Sequence, residues 1–128
     1  MRVLLDTHTF LWFALDDSAL SDAARRHISE PRIEKLVSAV SLWEIAIKLS
    51  LGKLKLDMPF TELVSDGIDG SGFTILPILP THASTLIQLP HLHRDPFDRM
   101  LVAQAIAESC PLLGCDPQLQ AYGIEQIW

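Results

Sequence analysis

The sequence predicts a three-layer α/β domain built on a central parallel sheet of about five strands. Short apolar segments rich in Leu, Ile and Val alternate along the chain with longer segments of helical periodicity. Acids stand directly after two of the short segments, where the strand-to-helix turns of such a sheet fall. A chain of 128 residues is long enough for one such domain and short for two, so residues 1–128 are expected to form one unit.

The elements follow in order. Arg2 to Leu5 reads as a short buried strand, and Phe10-Leu11-Trp12 lies in the helix after it. A second helical stretch surrounds Asp22 to Arg26, and Lys35 to Val37 is the second strand. Leu42, Ile45, Ala46 and Leu49 recur at helical spacing, and Gly52 closes that helix. Pro59 to Asp66 is a further helix, Phe73 to Leu76 the third strand, and Thr81 to Ile87 another helix. Asp95-Pro96 opens the best-marked helix, Phe97 to Ser109, because Asp at the N-cap and Pro at the first position satisfy a helix start. Leu112-Leu113 makes a fourth strand, Pro117 to Tyr122 a short helix, and Glu125 to Ile127 the last strand.

Composition narrows the function classes. A 48% hydrophobic content suits a chain that buries a core, and a mean hydropathy of +0.24 hints at a surface that meets a partner. No apolar run approaches the roughly 20 residues that span a bilayer. Val3-Leu4-Leu5 is interrupted at once by Asp6 and His8, unlike a signal peptide. Cys110 and Cys115 make no disulfide framework. These features point to a cytoplasmic protein without a membrane segment. A net charge of −6 and a pI near 5.2 are awkward for a nucleic-acid binder. They matter less if the acids surround a bound cation, which inverts the local field.

Asp6 follows the first strand and Asp116 the fourth, and such sheets place their sites outside the carboxyl ends of the strands. Each acid has a structural alternative. Asp6, Asp95 and Asp116 can each cap a helix; Asp98 sits where a capping-box acid would; Ser41-Leu42-Trp43-Glu44 also fits a capping box. Capping, however, is served by Ser, Thr or Asn as well, and several carboxylates gathered on one sheet edge repel unless a cation sits among them. Oxygen-only ligation suits Mg2+ or Mn2+ over zinc, and such ions bind phosphates and activate water.

Three runs carry a more specific signal: Leu4-Leu5-Asp6-Thr7-His8, then Ser41-Leu42-Trp43-Glu44-Ile45-Ala46-Ile47-Lys48, then Asp95-Pro96-Phe97-Asp98-Arg99-Met100-Leu101-Val102-Ala103-Gln104-Ala105. In order and spacing they resemble the signature segments of PIN domains, and the similarity covers nearly the whole chain. The resemblance implies a PIN-like fold with Asp6, Glu44, Asp98 and Asp116 at the positions of the family's four acids. It implies an endoribonuclease using Mg2+ or Mn2+, with Asp6, Asp98 and Asp116 as ligands and Glu44 holding a water or tuning the cluster. In VapC-like systems the partner is an antitoxin protein that blocks the site, and the substrate is single-stranded or structured RNA. The chain departs from the family at Gly114, where Thr or Ser usually precedes the last Asp by two residues.

Lesser signals have plainer readings. His91-Leu92-His93-Arg94-Asp95 imitates a zinc motif of metallo-β-lactamase-like hydrolases, but Pro96 stands where the next His should be; a surface loop is expected, whose His and Arg residues could touch RNA phosphates because Arg94 and Arg99 flank the acidic helix start. Thr7 offers either a cap or a hydroxyl near the metal. Lys48 either pairs with Glu44 one turn away or joins Lys53 and Lys55 in a basic rim. Trp43 is expected to pack, and Trp12 and Trp128 to lie in the core or an interface. Phe10-Leu11-Trp12-Phe13 is core by default, with a homodimer or antitoxin groove as the alternative. Two rival functions remain: a PIN-like module that binds RNA or protein without cutting, which Gly114 alone favours, and a metal-dependent phosphatase for small esters.

Overall fold

All five strands read from the sequence are present, and they run parallel. The computed structural model describes residues 1–128 as β1 (Arg2–Leu5), α1 (Thr7–Ala14), α2 (Asp22–Ser29), β2 (Glu34–Ser38), α3 (Ala39–Ser50), α4 (Phe60–Gly67), a 3-10 turn at Asp69–Ser71, β3 (Thr74–Leu76), α5 (Pro80–Gln88), α6 (Pro96–Ala107), β4 (Leu112–Leu113), α7 (Pro117–Gln120) and β5 (Gln126–Ile127). Strand order is β3-β2-β1-β4-β5. The chain therefore lays three strands to one side of the sheet, then returns past β1 to lay two on the other. The reversal falls between β1 and β4, paired in register at Leu4 with Leu112 and Leu5 with Leu113.

Because successive residues of a strand face opposite ways, the sheet feeds two cores. Val3, Leu5, Val37 and Leu113 pack with Phe10 and Leu11 of α1, Ile28 of α2, Ile45 of α3 and Leu63 of α4. Leu4, Leu36 and Leu112 pack with Leu101, Val102 and Ala105 of α6 and with Leu119 of α7. Both faces of β1 are covered, which explains why its sequence is continuously apolar after Arg2. No helix is long and apolar enough to cross a membrane.

Helix boundaries differ from the sequence expectation by two residues or more at the start of α3 and at the ends of α6 and α7. Helix α3 begins at Ala39, straight out of β2, with Ser38 as its N-cap accepting a hydrogen bond from the Val40 N–H. Ser41 and Glu44 consequently lie inside the helix and are buried, so they form no capping box. The C-terminal end agrees, with Leu51 as C-cap and Gly52 next at a φ of 71°, the left-handed conformation glycine supplies. Helix α6 stops at Ala107, two residues early, and Ser109 takes a φ of 52° to turn the chain into β4.

A buried polar chain crosses the second core. Gln104 of α6 accepts from the Ser38 hydroxyl at 2.5 Å and donates to the Pro77 carbonyl at 3.2 Å. Beside it, His82 of α5 is fully buried; its Nδ1 accepts from the Leu79 N–H at 3.0 Å, so Nε2 carries the proton and donates to Glu108 at 2.8 Å. Arg2 meets Glu108 from β1 at 3.1 Å. The His82 and Arg2 bonds hold the Glu108 carboxyl below the usual glutamate range. Replacing Gln104 with leucine keeps the bulk but strands the Ser38 hydroxyl and Pro77 carbonyl. Gln104→Leu should therefore lower stability by about 1–3 kcal/mol, the cost of leaving such groups unpaired. A urea midpoint equal to that of the unaltered protein would show that the chain contributes nothing.

Candidate active site

The start of α1 places the first acid. Asp6 leaves β1 as the N-cap of α1, and its Oδ1 accepts from the Thr9 N–H at 2.8 Å. Its other oxygen, Oδ2, accepts no hydrogen bond and lies over Gly114, just beyond β4. A Cβ built on Gly114 would overlap that oxygen and sit 2.7 Å from the carboxylate carbon. The Gly114 departure thus has a steric cause: the Asp6 carboxylate fills the space that a threonine or serine side chain would need. Capping and a second use are compatible here, because each engages a different oxygen.

Asp116 caps α7 in the same manner, accepting from the Gln118 N–H at 2.9 Å. It lies across the β1–β4 crevice from Asp6, close enough for its charge to act on the Asp6 carboxyl. Burial is the main cause that pushes Asp6 above the usual aspartate range; the Thr9 bonds pull it down, and the Asp116 charge adds to the rise.

The other two acids face each other from α3 and α6. Glu44 is 3% exposed, and its oxygens are both engaged, with Thr7 Oγ1 at 2.8 Å and Lys48 Nζ at 2.8 Å. Thr7 Oγ1 also lies 2.8 Å from Ser41 Oγ; with one proton to give, it donates to the carboxylate and accepts from Ser41. Lys48 is thereby committed to Glu44 and is no part of a free basic rim. Asp98 occupies the first turn of α6, where Asp95 is the N-cap and accepts from the Phe97 and Asp98 N–H groups. Asp98 does not close a capping box; its Oδ2 meets His93 Nε2 at 2.9 Å instead. Burial raises the Asp98 carboxyl above its ordinary range, the His93 bond opposes this, and the Asp95 and Glu44 charges reinforce it.

The structure thus brings the predicted acids together in two pairs, Asp6 with Asp116 and Glu44 with Asp98, at one end of the sheet. It does not close three of them on one point. The one group whose three ligand atoms all lie within 4.8 Å of one another is His93, Asp95 and Asp98. His93 was not expected to contact an acid of the site, because its motif read as an imperfect zinc signature or as a surface loop whose His and Arg residues could touch RNA phosphates. Its place three residues before a Pro-initiated acidic helix was the usable signal. Arg99 is not free for RNA, since it donates to the Pro90 carbonyl at 2.8 Å and the Tyr122 hydroxyl at 3.3 Å. Trp43 does not pack away: it is 58% exposed and meets Phe97 edge-on, with ring centroids 5.1 Å apart. Trp12 and Trp128 pack against each other at 5.7 Å on the margin of the first core.

The site residues suit a hard divalent cation. The four acids present oxygens only, Asp6 Oδ2 has no donor, and the glycine beneath it leaves the carboxylate its cradle.

A parallel five-stranded sheet with acids at its carboxyl edge defines a known class. The chain belongs to the PIN-domain family, whose model matches residues 3–125. Within that family it is a VapC-like member, 30% identical over 124 residues to Ribonuclease VapC22 of Mycobacterium tuberculosis, a match spanning 94% of this chain and 91% of that protein. VapBC2 from Rickettsia felis, solved bound to a DNA fragment from their promoter, shares the fold at a TM-score of 0.74 and 15% identity, covering 99% of this chain and 98% of that one. FitAcB from Neisseria gonorrhoeae does so at 0.59 and 16%, covering 98% and 96%.

The raised Asp6 carboxyl has a consequence for stability. A folded-state pKa above the unfolded value favours the protonated fold, and that advantage is lost as pH rises through the raised pKa. At neutral pH the ionised Asp6 therefore costs the metal-free fold free energy. Asp6→Asn keeps the cap and removes the charge, so it should raise the melting temperature of the metal-free protein. Mn2+ should stabilise the unaltered protein by roughly 2.7 kcal/mol at a hundredfold excess over Kd and do little for the variant. Thermal melts of both proteins in EDTA and in Mn2+ check this; four superimposable curves would remove the cation from the site.

Proposed function

We propose that this chain is a Mg2+- or Mn2+-dependent endoribonuclease and the toxin half of a toxin–antitoxin pair. The observation that carries the proposal is the pair of half-buried to buried acids astride the β1–β4 crevice, with Glu44 inside α3 and Asp98 in the first turn of α6 as the second pair. Such a grouping costs free energy unless a cation is taken up. The similarity to Ribonuclease VapC22 supports RNA as the substrate.

In this reading Asp6 and Asp116 from one pair and Asp98 from the other would hold the cation between them, directly or through a water. When bound, the ion lowers the pKa of a water and stabilises charge on the phosphoryl oxygens. The chain's own groups keep the acids in place. The Thr9 N–H orients Asp6, and His93 orients Asp98. Thr7 and Lys48 hold the Glu44 carboxylate in place and aimed, so that it can steady a water at the site. No side chain there is placed as a covalent nucleophile. Gly114 loses its force as a sign of a non-cutting module, because the Asp6 carboxylate accounts for it sterically.

Cleavage of a fluorogenic RNA should need Mg2+ or Mn2+, and Asp98→Asn should lower its rate by roughly a hundredfold or more, the scale of losing one strong electrostatic contact at a reacting centre. Asp95→Asn is the matched control, since asparagine caps a helix as well as aspartate. Equal losses in both variants would move the cation to the His93, Asp95 and Asp98 group, and a fully active Asp98→Asn would end the assignment.

The structural likeness to VapBC2 supports a partner protein, expected to offer an apolar helix and a basic side chain for the acids. Expressed alone, the chain should slow growth, and co-expression of the product of the adjoining gene should restore it. Harmless expression together with no binding by that product would leave a nuclease without a toxin role.

A further inference from the structure

Beside Asp6 and Asp116 lies an open cavity of about 320 Å³, walled by those two acids with His8, Trp12, Cys115 and Pro117. It sits at the carboxyl end of β1 and β4, where the strand order reverses and where α/β sheets receive ligands. Most of its exposed wall is apolar despite the two carboxylates. We propose that this cavity is a base-binding subsite, taking one unpaired nucleobase of the RNA strand next to the phosphate being cut. The proposal deepens the nuclease reading above and rests on it.

Three features favour a nucleobase. The cavity shares Asp6 and Asp116 with the proposed cation site, so a strand whose phosphate is held there must set an adjoining sugar and base against the same wall. The wall also has an aromatic side. His8 and Trp12 stand one turn apart on α1 with ring centroids 5.8 Å apart, and Trp128 braces the indole edge-on from behind at 5.7 Å. A braced ring loses little freedom when a base stacks on it. Finally, the chain carries a net charge of −6, and two nearby cations, Lys48 and Arg99, are engaged with Glu44 and with Pro90 and Tyr122. Attraction of the RNA backbone, the usual source of affinity, is therefore left around the acids largely to Arg94, exposed beside Asp95. Stacking is the sequence-tolerant substitute. A side chain of a partner protein is the competing occupant.

The test uses a fluorescein-labelled single-stranded RNA octamer, with Ca2+ replacing Mg2+ to arrest cleavage, and a series of the same octamer carrying one abasic position each. Fluorescence anisotropy should show one position whose base removal weakens binding by roughly tenfold, as the loss of one stacked base does. Trp12→Ala should bind the intact octamer about as weakly as that abasic one and lose the difference between them. Because Trp12 also covers the first core, His8→Ala, at an exposed position, provides the second variant and should reduce the same abasic effect. Cys115 is exposed and Cys110 buried, so a thiol-reactive probe reports on the cavity directly. The intact octamer should slow labelling of Cys115, and the abasic one should not.

Folded Trp12→Ala and His8→Ala proteins that bind like the unaltered chain, with Cys115 unprotected, overturn the proposal and leave the cavity to a protein side chain. An abasic effect that disappears in Trp43→Ala and persists in Trp12→Ala overturns it too, placing the base on the exposed Trp43 ring. If the unaltered chain neither binds nor cleaves RNA, the nuclease reading falls and the subsite with it.

Discussion

Asp6 meets two demands with two oxygens, and the arrangement around it follows from that. Oδ1 is spent on the first turn of α1, which fixes where the carboxylate stands at the end of β1. Oδ2 is then driven against the backbone of the neighbouring strand's exit, a position tolerable only because residue 114 has no side chain. An acid so buried is costly to ionise, and a second acid, Asp116, faces it across the crevice. The site is therefore held under electrostatic tension by the same cap that starts the first helix.

The acids on α3 and α6 are positioned less by their own caps than by the polar contacts beneath them. Ser38 ends β2, caps α3 and donates to Gln104 of α6. One hydroxyl thus ties together the two helices that carry Glu44 and Asp98. From Gln104 the contacts run on through His82 and Glu108 to Arg2 at the far end of β1. Thr7, also buried, joins α1 to α3 through Ser41 and Glu44. Buried polar chains of this kind are unforgiving, because a half-satisfied one is worse than an apolar core. Here they set the spacing between α3 and α6, whose acids face one another across the site.

The fold was legible because its signals are local. The apolar strands, the Pro-initiated α6 and α7 and the glycine after α3 follow from side-chain periodicity and backbone geometry within a few residues. The four acids were legible only together, through their resemblance to a family pattern, since each one taken alone reads as a cap. Three of the caps foreseen, at Asp6, Asp95 and Asp116, are in fact made. The capping box at Ser41 and Glu44 is not, because the chain enters α3 three residues earlier, directly from β2.

By itself, then, the sequence determined the order of strands and helices, the apolar faces and the places of the acids along the chain. These depend on neighbours within one or two turns, whose interactions are written in the spacing of residues. Only the tertiary structure decided that the acids meet as two pairs, that Lys48 neutralises Glu44, that His93 reaches Asp98 and that Trp43 stands in solvent. It also decided that Gly114 makes room for a carboxylate 108 positions earlier in the chain. The acid pairs and the Gly114 contact join residues far apart in sequence, and even for near neighbours such as Lys48 with Glu44 or His93 with Asp98, which of two polar partners a side chain takes depends on the helix packing around it.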